Sequence, residues 1–198
     1  MTKTLAMNIE SIIRSFCSLL SDRLKAGTHT TEDSVRYTFF AAMLKEGINP
    51  SDVVLEYPHP NLNRKKIDTW IAPQNGDEGL AIEFKYNRAG NDNQQRTKHA
   101  GKALHDLHRM SQIPLGMSRL FIYLTDSEMA SYFSNPQNGL SDFFSGELGC
   151  SSTIGPEDLV GRAVTLREAA ALEAPIKINT LCKESLPGGH ELRVWEVV

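Results

Sequence analysis

The chain has 198 residues, 40% of them apolar, and a formal net charge of −3 from 21 Lys+Arg against 24 Asp+Glu. That length and apolar share suit one domain with a sizeable core and exclude general disorder. No stretch approaches the roughly 18 uncharged apolar residues of a membrane-spanning helix, and the acidic balance excludes a coat-all nucleic-acid binder, whose mark is a basic domain.

In chain order, Ile9, Ile12, Ile13, Phe16, Leu19, Leu20 and Leu24 recur at spacings of three and four, which predicts an amphipathic helix over 8–25 closed by Gly27. Thr30 and Asp33 read as the capping box of a second helix that buries Val35, Phe39, Ala42 and Met43 and ends at Gly47. From 52 to 87 the period changes to two. Strands are expected over 53–57, over 65–71 with Ile67, Thr69 and Ile71 on one side, and over 80–86 with Leu80, Ile82, Phe84 and Tyr86 on one side. The linkers are short, with a turn centred near Gly76, so the three form an antiparallel meander. After Gly90 a polar segment over 92–112 shows Leu104, Leu107 and Met110 on one narrow helical face. Residues 119–124 are almost continuously apolar, the pattern of a strand covered on both faces. Residues 134–161 read as irregular with a short helix near 140–144, residues 163–173 as a short helix, and 176–183 with 190–198 as a β-hairpin around Pro187, Gly188 and Gly189. The expectation is a single α/β domain over 1–198, with its core at about 30–125, an added N-terminal helix over 8–25 and a C-terminal extension over 134–198.

Charge is uneven. Residues 61–110 hold nine Lys+Arg and six Asp+Glu (+3), whereas 126–198 hold five basic and eleven acidic residues (−6). A local basic stretch can contact phosphates within an acidic chain. Cys17, Cys150 and Cys182 form no CxxC pair and no disulfide framework, which points to a reducing, cytoplasmic setting. The opening MTKTLAMNIE reaches Glu10 before any long apolar run, so no secretory leader is expected.

Asp68 and Glu83 are the residues that could carry chemistry. Glu83 and Lys85 are two apart on one strand, so they project to the same face with Cα atoms about 6.6 Å apart, two steps of roughly 3.3 Å. A turn near Gly76 sets Asp68 almost opposite Phe84 and Glu83 on the neighbouring strand. Two carboxylates and a backbone carbonyl are the hard oxygen donors that Mg²⁺ prefers. Bound Mg²⁺ lowers the pKa of a coordinated water and neutralises charge on a phosphoryl oxygen, and a lysine alongside can position the water or stabilise developing negative charge. The competing reading is ordinary: Glu-x-Lys on a strand is common and usually faces solvent.

The helix–meander–helix–strand order over about 30–125, with Asp68 in Ile67-Asp68-Thr69 and the tripeptide Glu83-Phe84-Lys85, resembles the PD-(D/E)xK nuclease superfamily, the restriction-endonuclease-like fold. The proline that names the motif is absent before Asp68, as in many members. The resemblance implies that Asp68, Glu83 and the carbonyl of Phe84 bind Mg²⁺, with Mn²⁺ as substitute. It further implies that Lys85 assists the water and that Glu32, early on the first core helix, supports the metal site. It implies a DNA endonuclease of the restriction or repair type, and a homodimer. Some members carry a Gln with a Tyr four residues on; here Gln94 and Gln95 are followed at that spacing by Lys98 and His99, so that subgroup match is incomplete.

Lys65, Lys66, Arg88, Gln95 and Lys98 are candidate nucleic-acid contacts beside this patch, and Gln95 could also reach Lys85. Arg64-Lys65-Lys66 reads equally as a charged edge that discourages aggregation. Glu56 joins the acids if Val54 is buried. His105 and His108 can share a helical face, but no third ligand stands at matching spacing for Zn²⁺. Cys17 and Trp195 read as packing residues. Two rivals stand beside the nuclease: a non-catalytic domain of the same fold that binds nucleic acid or protein, and a metal-free interaction protein in which Glu83 and Lys85 are a surface pair.

Overall fold

The computed structural model describes residues 8–74, 78–89 and 92–198. The predicted turn centre at Gly76, the first seven residues and Gly90 lie outside the described residues. Helix α1 (Ile9–Lys25) starts where the Asn8 side chain accepts the Ser11 amide at 3.0 Å, and buries Ile12, Ile13, Phe16 and Leu20. Helix α2 (Glu32–Lys45) buries Val35, Phe39, Ala42 and Met43 as the spacing requires. Its capping box is one residue later than expected. Thr31 and Ser34 exchange the reciprocal bonds, because Thr30 turns its hydroxyl back to the Thr28 carbonyl. Gly47 follows α2 with φ +89°, a left-handed turn that suits glycine at a helix end.

Strands β1 (Val53–Pro58), β2 (Lys66–Ile71) and β3 (Gly79–Asn87) form the antiparallel meander that the period-two pattern predicts. Helix α3 (Asn93–Ser111) then crosses over to β4 (Met117–Thr125), which runs parallel to β3 from Gly79↔Met117 to Asn87↔Thr125. Helices α4 (Ser127–Ser134), α5 (Ser141–Phe144) and α6 (Val164–Ala170) and strands β5 (Ser151–Ile154), β6 (Ile176–Leu186) and β7 (His190–Val197) complete the chain. Helix α4 and the four-residue β5 carry too little pattern to be read from sequence. The terminal hairpin is no appendage: β7 pairs antiparallel with β4, giving one seven-stranded mixed sheet in the order β1-β2-β3-β4-β7-β6-β5.

Alternation along the central strands sorts the core into two layers. Leu80, Ile82 and Phe84 of β3, Leu120, Ile122 and Leu124 of β4, and Leu192 and Val194 of β7 pack against α1 and α2. Ala81, Phe121, Tyr123, Trp195 and Val197 face the other way, into the layer built by α3 to α6. Trp195 is fully buried and stacks on Phe121, as expected for a packing residue. Ile67, Thr69 and Ile71 are all buried, but they do not share a layer. Ile71 joins the α1/α2 cluster and Ile67 the α3 cluster, because β2 pairs with β3 only from Thr69 to Ile71. No helix among the described residues is long and apolar enough to cross a membrane.

Phe39 ties the first layer together, with its ring edge-on to Phe16 of α1 at 5.1 Å and to Phe84 of β3 at 5.6 Å. Phe39→Ala should cost about 3–5 kcal/mol, read as a lower urea midpoint at unchanged m-value. A cost below about 1.5 kcal/mol would mean that the layer closes around the cavity.

Candidate active site at the fork between β2 and β3

The β2–β3 ladder runs from Ile71↔Leu80 to Thr69↔Ile82 and stops there, while β2 stays paired with β1 as far as Lys66. A fork opens in the sheet. On that side of β3 the next two amides that would meet β2 are answered by carboxylates instead of carbonyls. Asp68 Oδ2 accepts the Phe84 N–H at 2.8 Å, and Glu32 Oε2 accepts the Tyr86 N–H at 3.0 Å. Glu32 can do this because the Thr31–Ser34 box fixes it as the first residue of α2. The N–H and C=O of one strand residue point to the same side, so the Phe84 carbonyl also faces the fork.

Both helical layers send charges to this opening. From α2, Arg36 Nη2 bonds Asp68 Oδ1 at 2.7 Å and its Nη1 bonds Glu56 Oε1 at 3.0 Å. From α3, Arg109 Nη2 bonds Glu83 Oε1 and lies 3.7 Å from Asp106 Oδ1. Lys85 Nζ sits 3.3 Å from Asp106 Oδ2 and 3.8 Å from Glu32 Oε2. The side chains of Asp68, Glu83, Asp106 and Arg109 are at most 15% exposed. Glu83 and Lys85 are therefore not a solvent-facing pair with each other, as the surface reading required. The second carboxylate oxygen of Glu83, Oε2, is buried without a hydrogen-bond partner.

Burial dictates the electrostatics. It pushes the Glu83 carboxyl up to about 8, Asp68 adds to the rise, and Arg109 only partly opposes it. Burial likewise raises Asp68, against the Phe84 amide and Arg36, which lower it. For Lys85, burial alone would lower the ammonium, but Asp106 and then Glu32 more than offset this and hold it above the ordinary lysine value.

The structure thus brings together Asp68, Glu83, Lys85 and Glu32, with the Phe84 carbonyl. It adds Arg36, Asp106 and Arg109, which sequence reasoning missed. Their signal was present: Arg36 lies one turn after Glu32, and Asp106 and Arg109 are three apart beside the buried stripe of α3. Lys65, Lys66, Arg88, Gln95 and Lys98 are exposed, and Lys66 lies 3.6 Å from Glu56. Gln95 stands in the first turn of α3, where its amide bonds the Asp92 side chain, and Lys85 meets Asp106 instead. Val54 is 45% exposed, so alternation from Val54 does not place Glu56; it adopts φ +54°, pairs with Lys66 and still joins the acids by sharing Arg36 with Asp68. His105 is near the Ala170 carbonyl and His108 near Gln112.

These donors are of the hard-oxygen type that divalent cations take. Asp68 and the Phe84 carbonyl face one opening, and Glu83 offers an unpartnered buried oxygen. Among the described residues no three His, Cys, Asp or Glu side chains form a cage, so the set is two carboxylates and a carbonyl, with Arg36 and Arg109 each resting on one carboxylate. A separate polar cleft of about 670 Å³ between α3 and α4, lined by Arg96, Glu128 and Tyr132 among others, includes none of these acids. Comparison with protein-family models, with curated proteins and with solved structures found no match for this chain.

Glu83 makes stability depend on pH. Its folded-state value of about 8 lies above its ordinary 4.5, so the folded chain keeps a proton that the unfolded chain has lost. Stability therefore falls as pH rises through that window and levels above it. Melting curves from about pH 5 to pH 9 should show the wild-type Tm falling and a shallower fall in Glu83→Gln. Equal slopes would assign the titration to another group.

Proposed function

We propose that this chain is a metal-dependent nuclease that hydrolyses DNA phosphodiester bonds, a restriction- or repair-type endonuclease on a PD-(D/E)xK-like core. The observation that carries the reading is the meeting of Asp68, Glu83, Lys85 and Glu32 at one fork in the sheet, with a buried oxygen of Glu83 left unpartnered. A fold gains little from burying charge in this way. Replacing buried ion pairs with well-packed apolar groups is often neutral or stabilising, so such a cluster calls for a chemical reason.

Asp68, Glu83 and the Phe84 carbonyl would hold Mg²⁺, or Mn²⁺ in its place. The metal supplies a water of lowered pKa and charge neutralisation at a phosphoryl oxygen. Lys85, kept protonated between Asp106 and Glu32, holds a proton and a positive charge beside that centre, where negative charge develops on the phosphate. Glu32 positions Lys85 while capping Tyr86. Arg36 and Arg109 offer the planar forks that recognise phosphate oxygens, and handing those forks to a phosphodiester frees the carboxylates. Exposed Lys65, Lys66, Arg88, Gln95 and Lys98 supply further phosphate contacts. A cytoplasmic homodimer acting on DNA completes the reading.

One observation favours a second reading, a non-catalytic domain of the same fold that binds nucleic acid or protein. Arg36 and Arg109 already rest on Asp68 and Glu83, which is how a site without a metal would hold its acids.

The test is cleavage of supercoiled plasmid and of single-stranded DNA with Mg²⁺ or Mn²⁺. Asp68→Asn, which keeps an acceptor for the Phe84 amide, and Lys85→Ala should each lower the rate by at least about 100-fold. Cleavage that survives both substitutions sinks the site. DNA binding without cleavage by the wild type, with no Mg²⁺-induced rise in Tm, establishes the second reading.

A further inference from the structure

Far from the fork, two cysteines 165 residues apart in the chain come together. Cys17 Sγ of α1 lies 3.6 Å from Cys182 Sγ of β6. The contact depends on an irregularity in the sheet. Before it, Ile176 and Ile178 of β6 face the α3–α6 layer. Between Thr180↔Trp195 and Cys182↔Val194 the register slips by one residue, with Leu181 as the extra one. A β-bulge of this kind reverses which face the following residues present. After it, Cys182 and Leu186 face the α1/α2 layer. Without the bulge, Cys182 would point to the side of Ile178, away from α1. Cys17 follows Phe16 on α1 and is partly buried and packed against the same cluster, and Cys182 is buried.

We propose that Cys17 and Cys182 form a reversible oxidation site, a thiol pair that a hydroperoxide converts to a disulfide stapling α1 to β6. The Cys17 sulfur, as thiolate, attacks the peroxide oxygen and becomes a sulfenic acid, releasing water or the corresponding alcohol. The Cys182 sulfur then displaces the hydroxyl as a second water, and the S–S bond forms. Two thiols give up two electrons and two protons, and the hydroperoxide accepts both. The division of roles follows from position. Cys17 is the less buried of the two residues, and the hydrogen bond between the two sulfurs holds its thiol below the usual value. Cys182 is raised by that same hydrogen bond and by burial, which suits the resolving partner. Closing the gap to a bonded distance of about 2.05 Å takes a side-chain rotation and a shift of about 1.5 Å, within reach of a helix seated on a sheet. The closed loop spans most of the chain, the case in which a cross-link most restricts the unfolded state.

Exposed Cys150 precedes β5 and its carbonyl accepts the Thr180 amide, so it stands near the bulge and is the residue to remove first. In a Cys150→Ser chain, stoichiometric hydrogen peroxide should lower the intact mass by about 2 Da and raise Tm by about 5 °C or more, both reversed by dithiothreitol. Peptide mapping should recover one cross-link, Cys17 to Cys182, and Cys17→Ser or Cys182→Ser in that background should abolish the mass loss. Sulfinic or sulfonic acid on Cys17 without a cross-link would overturn the proposal. So would a cross-linked chain that melts no higher than the reduced one.

Discussion

Covering β3 on both faces is the constraint from which the rest follows. Once α1 and α2 pack on Leu80, Ile82 and Phe84, and α3 packs on Ala81 and Phe121, a carboxylate at position 83 is largely withdrawn from water. An unpaired charge there would cost several kcal/mol. The protein answers in two ways at once: Arg109 comes down from α3, and the carboxyl is pushed toward its protonated form. The neighbouring groups then interlock. Asp106 touches both Arg109 and Lys85, Lys85 reaches Glu32, and Arg36 joins Asp68 to Glu56.

Geometry makes the fork more than an edge of the sheet. Because β2 continues with β1 beyond the point where it leaves β3, the opening lies between strands inside the sheet, where helices from the two layers can both reach it. Glu32 and Arg36 arrive one turn apart on α2, Asp106 and Arg109 three residues apart on α3. A solvent-facing Glu-x-Lys pair has no such audience, and its charges would be screened.

Much of this was legible in the sequence because period and burial coincide there. The two-residue alternation from Val53 to Tyr86 marked the meander, and the continuous apolar run at Arg119–Leu124 marked a strand covered on both faces. Asp68 was placed opposite Glu83 from turn arithmetic alone. What sequence could not convey was where the ladder stops. Nothing in Ile67-Asp68-Thr69 says that β2 parts from β3, so Ile67 and Ile71 were assigned to one layer although they pack in two. Arg36, Asp106 and Arg109 were passed over because a charged helix residue looks the same whether it meets water or a buried acid. The terminal hairpin was recognised locally, but its docking on β4 is a long-range pairing with no local signature. The bulge that turns Cys182 toward α1 is likewise invisible to alternation, since one extra residue reverses the pattern without changing its composition.

Two side chains at the fork are also pieces of the strand's own scaffolding. The Phe84 and Tyr86 amides find their acceptors on Asp68 and Glu32, so these acids finish a ladder that β2 leaves incomplete. On the nuclease reading, folding and chemistry would draw on the same atoms. A chain with this sheet that acts on no substrate would still lose a strand amide's partner by discarding either acid, and selection for a folded chain alone would keep them in place. In a lineage built on this fork, the persistence of Asp68 and Glu32 records the shape of the sheet. Lys85, whose ammonium caps no amide of the strand, is the residue that the sheet itself does not hold in place.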